Sequence, residues 1–283
     1  MSAPRSWLYV PGHRPDRIAK ALASVADAVV IDLEDAVPAG RKHEARDHAL
    51  SALTRRDPAG PQVWVRVNPP VDTLGRTDVE AMAHSGVDGL RLPRSEEAAV
   101  VRWVAQTTDL PLQLLLETAL GLSRAAELAA AHERVVGLGL GEADLAADLL
   151  VGSPSGLDWA RGAVVVASRA AGLTSPVQSV WTDVADLEGL RASSQAGLAS
   201  GFFGRSVVHP AQLRVVHEVY TPSPDAVSAA RAIVATAARA EADGEVAVLD
   251  AGGRFIDGAV VARARVVLDR VPTHVTTTES GGH

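Results

Sequence analysis

The sequence contains no cysteine. Disulfide bonds, catalytic thiolates and cysteine-ligated metal sites are therefore excluded, and the absence is compatible with a reducing compartment. Aromatic residues are also scarce, at 4%, although 47% of the 283 residues are hydrophobic. Small aliphatic side chains thus make up most of the apolar content, which favours helices and strands packed in layers around one large core.

The chain also lacks long hydrophobic runs and an excess of positive charge. No segment approaches the roughly 18 consecutive apolar residues of a membrane span, and the first residues lack the apolar stretch of a secretory signal. The formal net charge is −7, which argues against a nucleic-acid-binding surface. We therefore expect a cytoplasmic protein with no nucleic-acid partner and no membrane partner.

What the sequence does contain is a repeated alternation of short apolar runs with amphipathic segments. This pattern is typical of parallel strands joined by crossover helices. Eight such cycles predict an α/β fold, a (β/α)8 TIM barrel, and a doubly wound open sheet is the alternative. The predicted strands cover residues 7–10, 28–33, 63–67, 89–92, 112–116, 135–140, 177–181 and 203–208, and the predicted helices cover 16–24, 42–53, 77–84, 96–107, 122–131, 157–171 and 187–199.

A different pattern follows the eighth predicted strand. Residues 221–225, Thr-Pro-Ser-Pro-Asp, interrupt the alternation. An alanine-rich run then predicts a long helix over 225–243, with a proline near its first turn. A glycine-containing segment at 246–253 predicts a short hairpin or loop, and a last helix is predicted over 257–270.

The predicted domain organisation has three parts. Residues 1–220 form the catalytic barrel, and residues 221–272 form a C-terminal helical extension. The extension is too small for a sizeable core of its own, so we expect it to pack on the barrel or on a neighbouring subunit, or to act as a lid. The polar tail at 273–283 is predicted to be disordered.

Two of the apolar runs are followed by a carboxylate. Residues 114–118 read Leu-Leu-Leu-Glu-Thr, and residues 137–144 read Gly-Leu-Gly-Leu-Gly-Glu-Ala-Asp. Because the carboxyl ends of parallel strands meet at one rim of a barrel, we expect Glu117 and Asp144 to share a cation there. Oxygen ligands without histidine or cysteine favour Mg2+, or Mn2+, over zinc. For either residue alone, a helix cap or a salt-bridged acid is the alternative.

An arginine and three acids lie at the ends of two earlier predicted strands. Arg66 ends the third, where its guanidinium can hold a substrate carboxylate or a developing oxyanion. Asp32, Glu34 and Asp35 follow the second, and their mutual repulsion requires cations or amide groups nearby. An ion pair of Arg66 with Glu34 or Asp35 is compatible with catalysis, because a carboxylate can orient the arginine. We expect Asp32 to bond to the backbone or to a neighbouring helix.

Several motifs, taken in order, resemble one family. They lie at residues 5–12 (Arg-Ser-Trp-Leu-Tyr-Val-Pro-Gly), 32–37 (Asp-Leu-Glu-Asp-Ala-Val), 65–68 (Val-Arg-Val-Asn), 116–118 (Leu-Glu-Thr), 142–144 (Glu-Ala-Asp) and 208–212 (Val-His-Pro-Ala-Gln). In this combination the chain resembles the citrate lyase beta-subunit-like (CitE-like) proteins of the HpcH/HpaI aldolase and malyl-CoA lyase superfamily. The resemblance implies a TIM barrel, a magnesium ion, homo-oligomers that are often trimers or hexamers, and cleavage or formation of a carbon–carbon bond in a β-hydroxyacyl thioester.

The resemblance also implies roles for individual residues. Glu117 and Asp144 match the family's metal ligands, and Arg66 matches its active-site arginine. Glu34 and Asp35 match a pair that lines the site and supports both the arginine and the water shell of the metal. Arg66, Glu34 and Asp35 are thus predicted catalytic residues, and Glu117 and Asp144 are the predicted metal ligands.

The C-terminal segment 253–258, Gly-Arg-Phe-Ile-Asp-Gly, is similar to a Met-Ile-Asp-Pro segment of the family. There the aspartate enters the site of a neighbouring subunit as the catalytic acid/base, which makes Asp257 the candidate in this chain. Phe255 and Gly258 stand where that segment has methionine and proline. The alternative for Asp257 is a helix N-cap, since it directly precedes a helical run.

Cationic residues near the first strand are candidates for binding the nucleotide end of a CoA thioester. Arg14, Arg17 and Lys20 follow the Pro11-Gly12 pair, where a helix amino terminus favours phosphate. Lys20 matches a lysine of the family pattern, and a solvated helix face is the alternative for all three. His209 is expected to begin a turn or helix and is not assigned to catalysis.

Together these features predict a magnesium-dependent carbon–carbon lyase. Its substrate would be a small β-hydroxyacyl-CoA such as malyl-CoA or citramalyl-CoA, cleaved to or formed from an acyl-CoA and a 2-keto acid. One alternative is a metal-dependent aldolase of free hydroxy-keto acids, which would need no CoA contacts. The other is a non-catalytic CoA-ester-binding barrel. The acyl group, the stereochemistry, the direction, any accompanying thioester hydrolysis and the subunit number stay open.

Overall fold

A computed structural model of the protein describes residues 3–245, 248–249 and 252–271. The described chain divides into two compact units, one formed by Pro4–His217 and the other by the residues from Glu218 onward together with Ala3. The first unit contains a seven-stranded parallel sheet. Its strands are β1 (Ser6–Pro11), β2 (Ala28–Asp32), β3 (Gln62–Arg66), β4 (Gly89–Leu92), β5 (Leu112–Leu116), β6 (Val135–Leu140) and β7 (Arg205–Val207).

The strands pair in sequence order, and the two ends of the sheet meet to close a barrel. Pairing runs from β1 to β2 and on, strand by strand, to β6, and every pair is parallel. On its other side β1 pairs with β7, and single bridges through Val177 and Gln178 join β6 to β7. The predicted TIM barrel is therefore confirmed. A doubly wound sheet would reverse its strand order at a switch point, and the described sheet runs from β6 to β1 without a reversal.

The predicted strand at 177–181 is wrong as a regular strand. Within the described chain, Val177 and Gln178 alone make ladder bridges there. The next residue, Ser179, donates its hydroxyl hydrogen to the Leu140 carbonyl at 2.5 Å. A side chain thus occupies the acceptor that a longer ladder on β6 would use, so two bridges close the barrel instead of a full strand.

Helices follow the strands, as predicted, with two differences. The predicted helix at 122–131 is two short helices, because the backbone at Arg124 leaves the helical region with φ −103° and ψ 13°. The sequence pattern also does not predict the short helices at Glu142–Asp148 and Leu213–Tyr220. In the described part of the chain, no helix is long and apolar enough to cross a membrane. The helices are α1 (Pro15–Leu22), α2 (Lys42–Leu53), α3 (Thr73–Met82), α4 (Ala98–Thr107), α5 (Ala119–Ser123), α6 (Ala125–Ala129), α7 (Glu142–Asp148), α8 (Asp158–Ala170), α9 (Leu187–Ala199) and α10 (Leu213–Tyr220).

The barrel interior is filled by apolar side chains near the amino ends of the strands. Trp7, Ala28, Val30, Trp64 and Val177 form one buried cluster, in which the two tryptophan rings meet edge to face with centres 5.2 Å apart. Gly89, the first residue of β4, leaves room for this cluster, because a Cβ at this position would lie 2.3 Å from the Trp64 ring. The carboxyl ends of the strands are left to polar residues.

The C-terminal unit contains two helices and a short antiparallel ladder. These are α11 (Pro224–Ala242), β8 (Val248–Leu249), β9 (Phe255–Ile256) and α12 (Gly258–Asp269). Pro224 occupies the first position of α11, and the Ser223 hydroxyl accepts the Ala226 N–H, which together fix the start of the helix. Both predicted helices are confirmed. Of the hairpin or loop predicted at 246–253, residues 246–247 and 250–251 lie outside the described residues, and the described ladder pairs Val248–Leu249 with Phe255–Ile256. The predicted disordered tail, 273–283, lies outside the described residues.

Candidate active site

The carboxyl ends of the strands surround a cleft of about 430 Å³. Asp32 at the end of β2, Arg66 at the end of β3 and Glu117 just after β5 line it. Asp35, from the loop after β2, and Asp144, from the first turn of α7, complete the ring of charges. The structure thus brings the predicted arginine, both predicted metal ligands and a predicted supporting acid into one cleft.

Arg66 is held chiefly by Asp32, its register neighbour on β2. Nε of Arg66 donates to Asp32 Oδ1 at 2.8 Å and Nη2 donates to Oδ2 at 2.6 Å, a bidentate pair that fixes the guanidinium plane. Asp32 also accepts the backbone N–H groups of Glu34 and Ala36, which confirms its predicted backbone role. The sequence pattern did not predict the bidentate pair.

Two more carboxylates contact the same guanidinium. Nη1 of Arg66 lies 2.9 Å from Glu34 Oε2 and 3.3 Å from Asp35 Oδ2, so Arg66 contacts both of the acids that were predicted to pair with it. The guanidinium carbon also lies 5.3 Å from the centre of the Tyr9 ring. The orientation of Arg66 is therefore fixed by the chain itself, which is the condition for effective electrostatic stabilisation of a substrate charge.

Acidic side chains outnumber basic ones around Arg66, and this affects which of the acids are protonated. Burial raises the pKa of Glu34 to about 8. The charges of Glu117 and Asp35 act in the same direction, and Arg66 opposes them. Burial also opposes the charge of Arg66, but its hydrogen bonds to Asp32 keep the pKa of Arg66 above the ordinary value. Glu34 thus holds a proton at neutral pH unless a further cation enters the cleft.

Glu117 is a buried carboxylate, 4% exposed, directly after β5. Its Oε2 accepts the backbone N–H of Arg94 at 2.9 Å, and Arg94 presents this group from a left-handed conformation with φ 45°. Burial raises the pKa of Glu117 to about 7 despite that hydrogen bond, and the negative charge of Asp144 adds to the increase. A strained backbone position is therefore used to orient a buried acid.

Glu117 and Asp144 fit a hard divalent cation. Both line the cleft, and Oε1 of Glu117 has no hydrogen-bond partner among the described residues. Nowhere in the described ranges do three or more His, Asp or Glu side chains converge as a complete cage. Mg2+ typically keeps several positions for water and substrate oxygens when protein carboxylates hold it. The donor set of two carboxylates is thus suited to Mg2+ at a site that substrate can enter.

The Gly-Leu-Gly-Leu-Gly run at 137–141 has a steric role beside these two carboxylates. A Cβ on Gly141 would lie 2.5 Å from Glu117 Cγ and 2.9 Å from its Oε1. A Cβ on Gly139 would lie 3.2 Å from a methyl group of Leu115. The glycines on and directly after β6 therefore leave space for the longer side chains on and directly after β5.

We expect Gly141→Ala to displace Glu117 and to weaken Mg2+ binding by roughly 10- to 100-fold, the range typical of disturbed metal-site support. Gly141 has φ −87°, so its backbone accepts alanine and the contact with Glu117 alone causes the loss. Calorimetric titration with Mg2+ measures the effect. Gly137→Ala is the matched control, because its Cβ would meet nothing closer than 3.3 Å. Equal Mg2+ affinity in the two variants would contradict the steric argument.

The three cations predicted to bind CoA lie on or beside α1 and do not line this cleft. Arg14 forms a bidentate pair with Asp16, with both distances 2.9 Å, and the two side chains are partly exposed. Arg17 and Lys20 are exposed on the same helix. Their role in nucleotide binding stays a prediction.

Two further predictions concern helix starts. Asp257 precedes α12 in the C-terminal unit, and its Oδ1 accepts the N–H groups of Ala259 and Val260 at 3.0 and 2.9 Å. The N-cap alternative is confirmed, and the acid/base role stays a prediction. His209 begins a short 3-10 turn, where its Nδ1 accepts the Ala211 N–H at 3.1 Å, as expected.

The cleft also contains an arginine that the sequence motifs did not reveal. Arg91 lies in β4, opposite Arg66 in the parallel register, and is 2% exposed. A signal existed, because a charged residue inside the buried strand Gly-Leu-Arg-Leu is unusual and requires partners. Tyr9 and Ser206 line the cleft with it.

Comparison with known proteins gives consistent matches. Residues 5–210 match the family described as HpcH/HpaI aldolase/citrate lyase. A (3S)-malyl-CoA thioesterase of Cereibacter sphaeroides is 38% identical over 269 residues, which cover 93% of each chain. The citrate lyase subunit beta of Escherichia coli is 32% identical, over 94% of this chain and 92% of the relative. A crystal structure of CitE from Mycobacterium tuberculosis, with magnesium, acetoacetate and coenzyme A, superposes with a TM-score of 0.78 at 33% identity, covering 95% of this chain and 98% of that one.

The barrel, its charged cleft and these matches define an enzyme of the carbon–carbon lyase class. More particularly, the chain belongs to the HpcH/HpaI aldolase/citrate lyase family. The family resemblance predicted from the ordered motifs is thereby confirmed.

Proposed function

We propose that the protein is a magnesium-dependent lyase that cleaves or forms a small β-hydroxyacyl-CoA, with malyl-CoA and citramalyl-CoA as the first candidates. The observation that carries the proposal is the position of Arg66 in the same cleft as Glu117 and Asp144. Two relatives support it. One is named for malyl-CoA, and the structure of the other holds magnesium, acetoacetate and coenzyme A.

The proposed reaction creates charge at two places. Loss of the hydroxyl proton gives an alkoxide, and as the alkoxide becomes the carbonyl of the 2-keto acid the bond to the alpha carbon breaks and leaves an enolate on the thioester, which then takes up a proton. Mg2+ held by Glu117 and Asp144 would act as a Lewis acid toward oxygens of the keto acid. Arg66, oriented by its bidentate pair, is available for a substrate carboxylate or oxyanion.

The acids around Arg66 determine how much of its positive charge is left to interact with the substrate. Asp32 is buried and orients the guanidinium, whereas the Asp35 side chain is 63% exposed and can accept hydrogen bonds from water. Glu34 holds a proton at neutral pH, because burial raises its pKa to about 8. A protonated Glu34 next to Arg66 leaves more positive charge for the substrate than an ionised one would.

The proposal is tested by supplying malyl-CoA and citramalyl-CoA separately to the magnesium-loaded protein. We expect acetyl-CoA and an equimolar 2-keto acid, trapped as its phenylhydrazone, and no product in EDTA. Folded, magnesium-loaded protein that releases no acyl-CoA from any β-hydroxyacyl-CoA would overturn the proposal. Turnover of free hydroxy-keto acids that survives removal of Arg14, Arg17 and Lys20 would instead identify a free-acid aldolase. Tight binding of CoA esters without turnover would identify a non-catalytic barrel.

Thioester hydrolysis is a second candidate, because a relative with 38% identity is named (3S)-malyl-CoA thioesterase. In that reaction water attacks the thioester carbonyl, and malyl-CoA yields malate and free CoA. A lyase acting on the same compound yields acetyl-CoA and glyoxylate. Thiol titration run beside chromatography of the acyl-CoA products separates the two. Free thiol formed without glyoxylate indicates hydrolysis, and acetyl-CoA formed with glyoxylate indicates the lyase.

We also propose Asp257 as an acid/base group that a neighbouring subunit of a trimer or hexamer contributes. Asparagine can keep the N-cap but cannot exchange a proton, so Asp257→Asn separates the two roles. We expect kcat to fall at least about 100-fold with little change in melting temperature. Mixing this variant with Glu117→Gln protein should restore part of the activity if Asp257 acts between subunits. Full activity of Asp257→Asn would leave the cap as its role.

A further inference from the structure

Arg91 is a buried cation at the cleft whose charge is not balanced. Its Nε donates to Gln113 Oε1 at 2.7 Å, and its Nη1 donates to the hydroxyl oxygens of Tyr9 at 2.6 Å and Ser206 at 3.2 Å. All three partners are neutral. Among the described residues Arg91 forms no ion pair, and its Nη2 has no hydrogen-bond partner.

An arginine placed in this way is costly to keep. Taking an ion out of water carries a free-energy cost that remains after the protein relaxes. The guanidinium carbon lies 4.6 Å from the Trp7 ring centre and 5.5 Å from the Tyr9 ring centre, and these cation–π contacts offset part of that cost. The neutral hydrogen bonds satisfy two nitrogens without removing the charge. An apolar side chain would fill this place at a lower cost, which indicates that the charge itself is used.

The contrast with Arg66 shows which arginine can gain most from an incoming anion. The two residues are register partners on β3 and β4. Arg66 contacts three carboxylates, whereas the partners of Arg91 are a carboxamide and two hydroxyl groups. An anion that enters the cleft therefore meets an Arg66 that is already paired with Asp32 and Asp35, and an Arg91 that has no anionic partner among the described residues.

We propose that Arg91 determines substrate specificity by binding a second carboxylate, separate from the group held at Arg66 and the two metal ligands. The inference rests on the proposed function and names a further substrate class for the same site. That class is the β-hydroxyacyl-CoA thioesters whose keto-acid half carries an additional carboxylate, whereas the keto-acid halves of malyl-CoA and citramalyl-CoA carry one. The guanidinium carbons of Arg66 and Arg91 lie 5.3 and 5.5 Å from the centre of the same Tyr9 ring, so the two groups are close enough for each to hold one end of a small diacid.

The surroundings of Arg91 suit a carboxylate. Nη2 supplies an N–H donor without a partner, and the hydroxyl groups of Tyr9 and Ser206 line the same cleft. Hydroxyl hydrogens rotate to suit their partners, so both groups can turn a donor toward an anion. A charge-assisted hydrogen bond in a site of this kind is stronger than one between neutral groups.

Calorimetric titration of the magnesium-loaded protein with matched pairs of 2-keto acids tests the proposal without any need for turnover. The pairs are oxaloacetate with 2-oxobutyrate and 2-oxoglutarate with 2-oxopentanoate, which differ mainly in a terminal carboxylate. We expect the diacid of at least one pair to bind roughly 10- to 100-fold more tightly, the range of one or two charged hydrogen bonds. Arg91→Met should abolish that preference, and Arg91→Lys should retain part of it.

Arg91→Met removes the charge with little change in volume, and Arg91→Lys keeps the charge if the methionine variant does not fold. Equal binding of both members of each pair by the unmodified protein would overturn the proposal before any variant is made. An unchanged preference in Arg91→Met would also overturn it and would leave Arg91 with a structural role. Lyase turnover without a diacid preference rejects this inference alone. A diacid preference without turnover rejects the proposed function alone, and no binding of any keto acid rejects both.

Discussion

Replacing Glu117 with glutamine is expected to abolish magnesium-dependent turnover and, at the same time, to stabilise the metal-free protein at alkaline pH. The first effect follows because a carboxamide is a poor ligand for Mg2+ compared with a carboxylate. The second follows from burial, which raises the pKa of Glu117 from 4.5 to about 7. The ionised group is thus unfavourable in the folded chain, and glutamine removes it while keeping an oxygen for the Arg94 N–H.

The raised pKa sets the pH range of the stability effect. Below pH 4.5, Glu117 is protonated in both the folded and the unfolded chain, so the variant and the unmodified protein should be equally stable there. The stability that protonated Glu117 contributes is lost as the pH rises through about 7. Above that pH the metal-free variant should be the more stable by up to about 3 kcal/mol.

Denaturant unfolding at several pH values, with and without Mg2+, measures both effects. Mg2+ should stabilise the unmodified protein, which has the carboxylate, more than Glu117→Gln. Glu44→Gln is the matched control, because Glu44 is an exposed glutamate of α2 that pairs with Arg41 away from the cleft. It should respond to Mg2+ like the unmodified protein. The same Mg2+ response in Glu117→Gln would show that Glu117 is not a ligand.

Arg66→Met is expected to cause the second large effect, a loss of both stability and turnover. The substitution leaves Asp32, Glu34 and Asp35 without their shared cation. Breaking a buried ion pair from one side typically costs about 3–5 kcal/mol, because the partner stays buried and charged. Turnover should fall at least about 100-fold, as expected when a preoriented donor to a reacting group is removed. Urea unfolding and the magnesium-dependent assay measure the two losses.

A second substitution distinguishes charge imbalance from lost packing. Adding Asp32→Asn to Arg66→Met removes one unpaired carboxylate, so the double variant should recover part of the lost stability without recovering turnover. Arg66→Lys keeps the charge but cannot form the bidentate pair, and it should lose activity with a smaller loss of stability. An unfolding midpoint for Arg66→Met that equals that of the unmodified protein would refute the proposed role of the carboxylates.

The sequence predicted the strands well where both faces are buried. β2 and β5 are buried along their whole length and are apolar apart from Asp32 and Gln113, and the acids at their ends mark the carboxyl rim. A residue at the end of a buried apolar run lies at the carboxyl end of that strand, so its place on the rim can be predicted from the sequence. For the same reason the sequence alone was enough to assign Arg66, Glu117 and Asp144 to one cleft.

Features that depend on distant partners escaped sequence reasoning. Arg66 could be placed on the rim, but its bidentate partner depends on the strand register that sets it beside Asp32. The predicted seventh strand has an ordinary strand composition, and it ends early because a serine hydroxyl takes a carbonyl on β6. Arg91 was missed because its partners come from three other strands, more than 20 residues away in the chain.

The glycines of β6, together with Gly141 directly after it, affect how the shape of this cleft can be changed by substitution. At Gly137, Gly139 and Gly141 the chain presents hydrogen alone, so β5 determines the volume on that side of the barrel. A void made by shortening Leu115 could be refilled by a methyl group added at Gly139, because volume-conserving exchanges in a core are tolerated best. Paired substitutions across the two strands thus offer directed selection a route to new substrate sizes that preserves the backbone at each step.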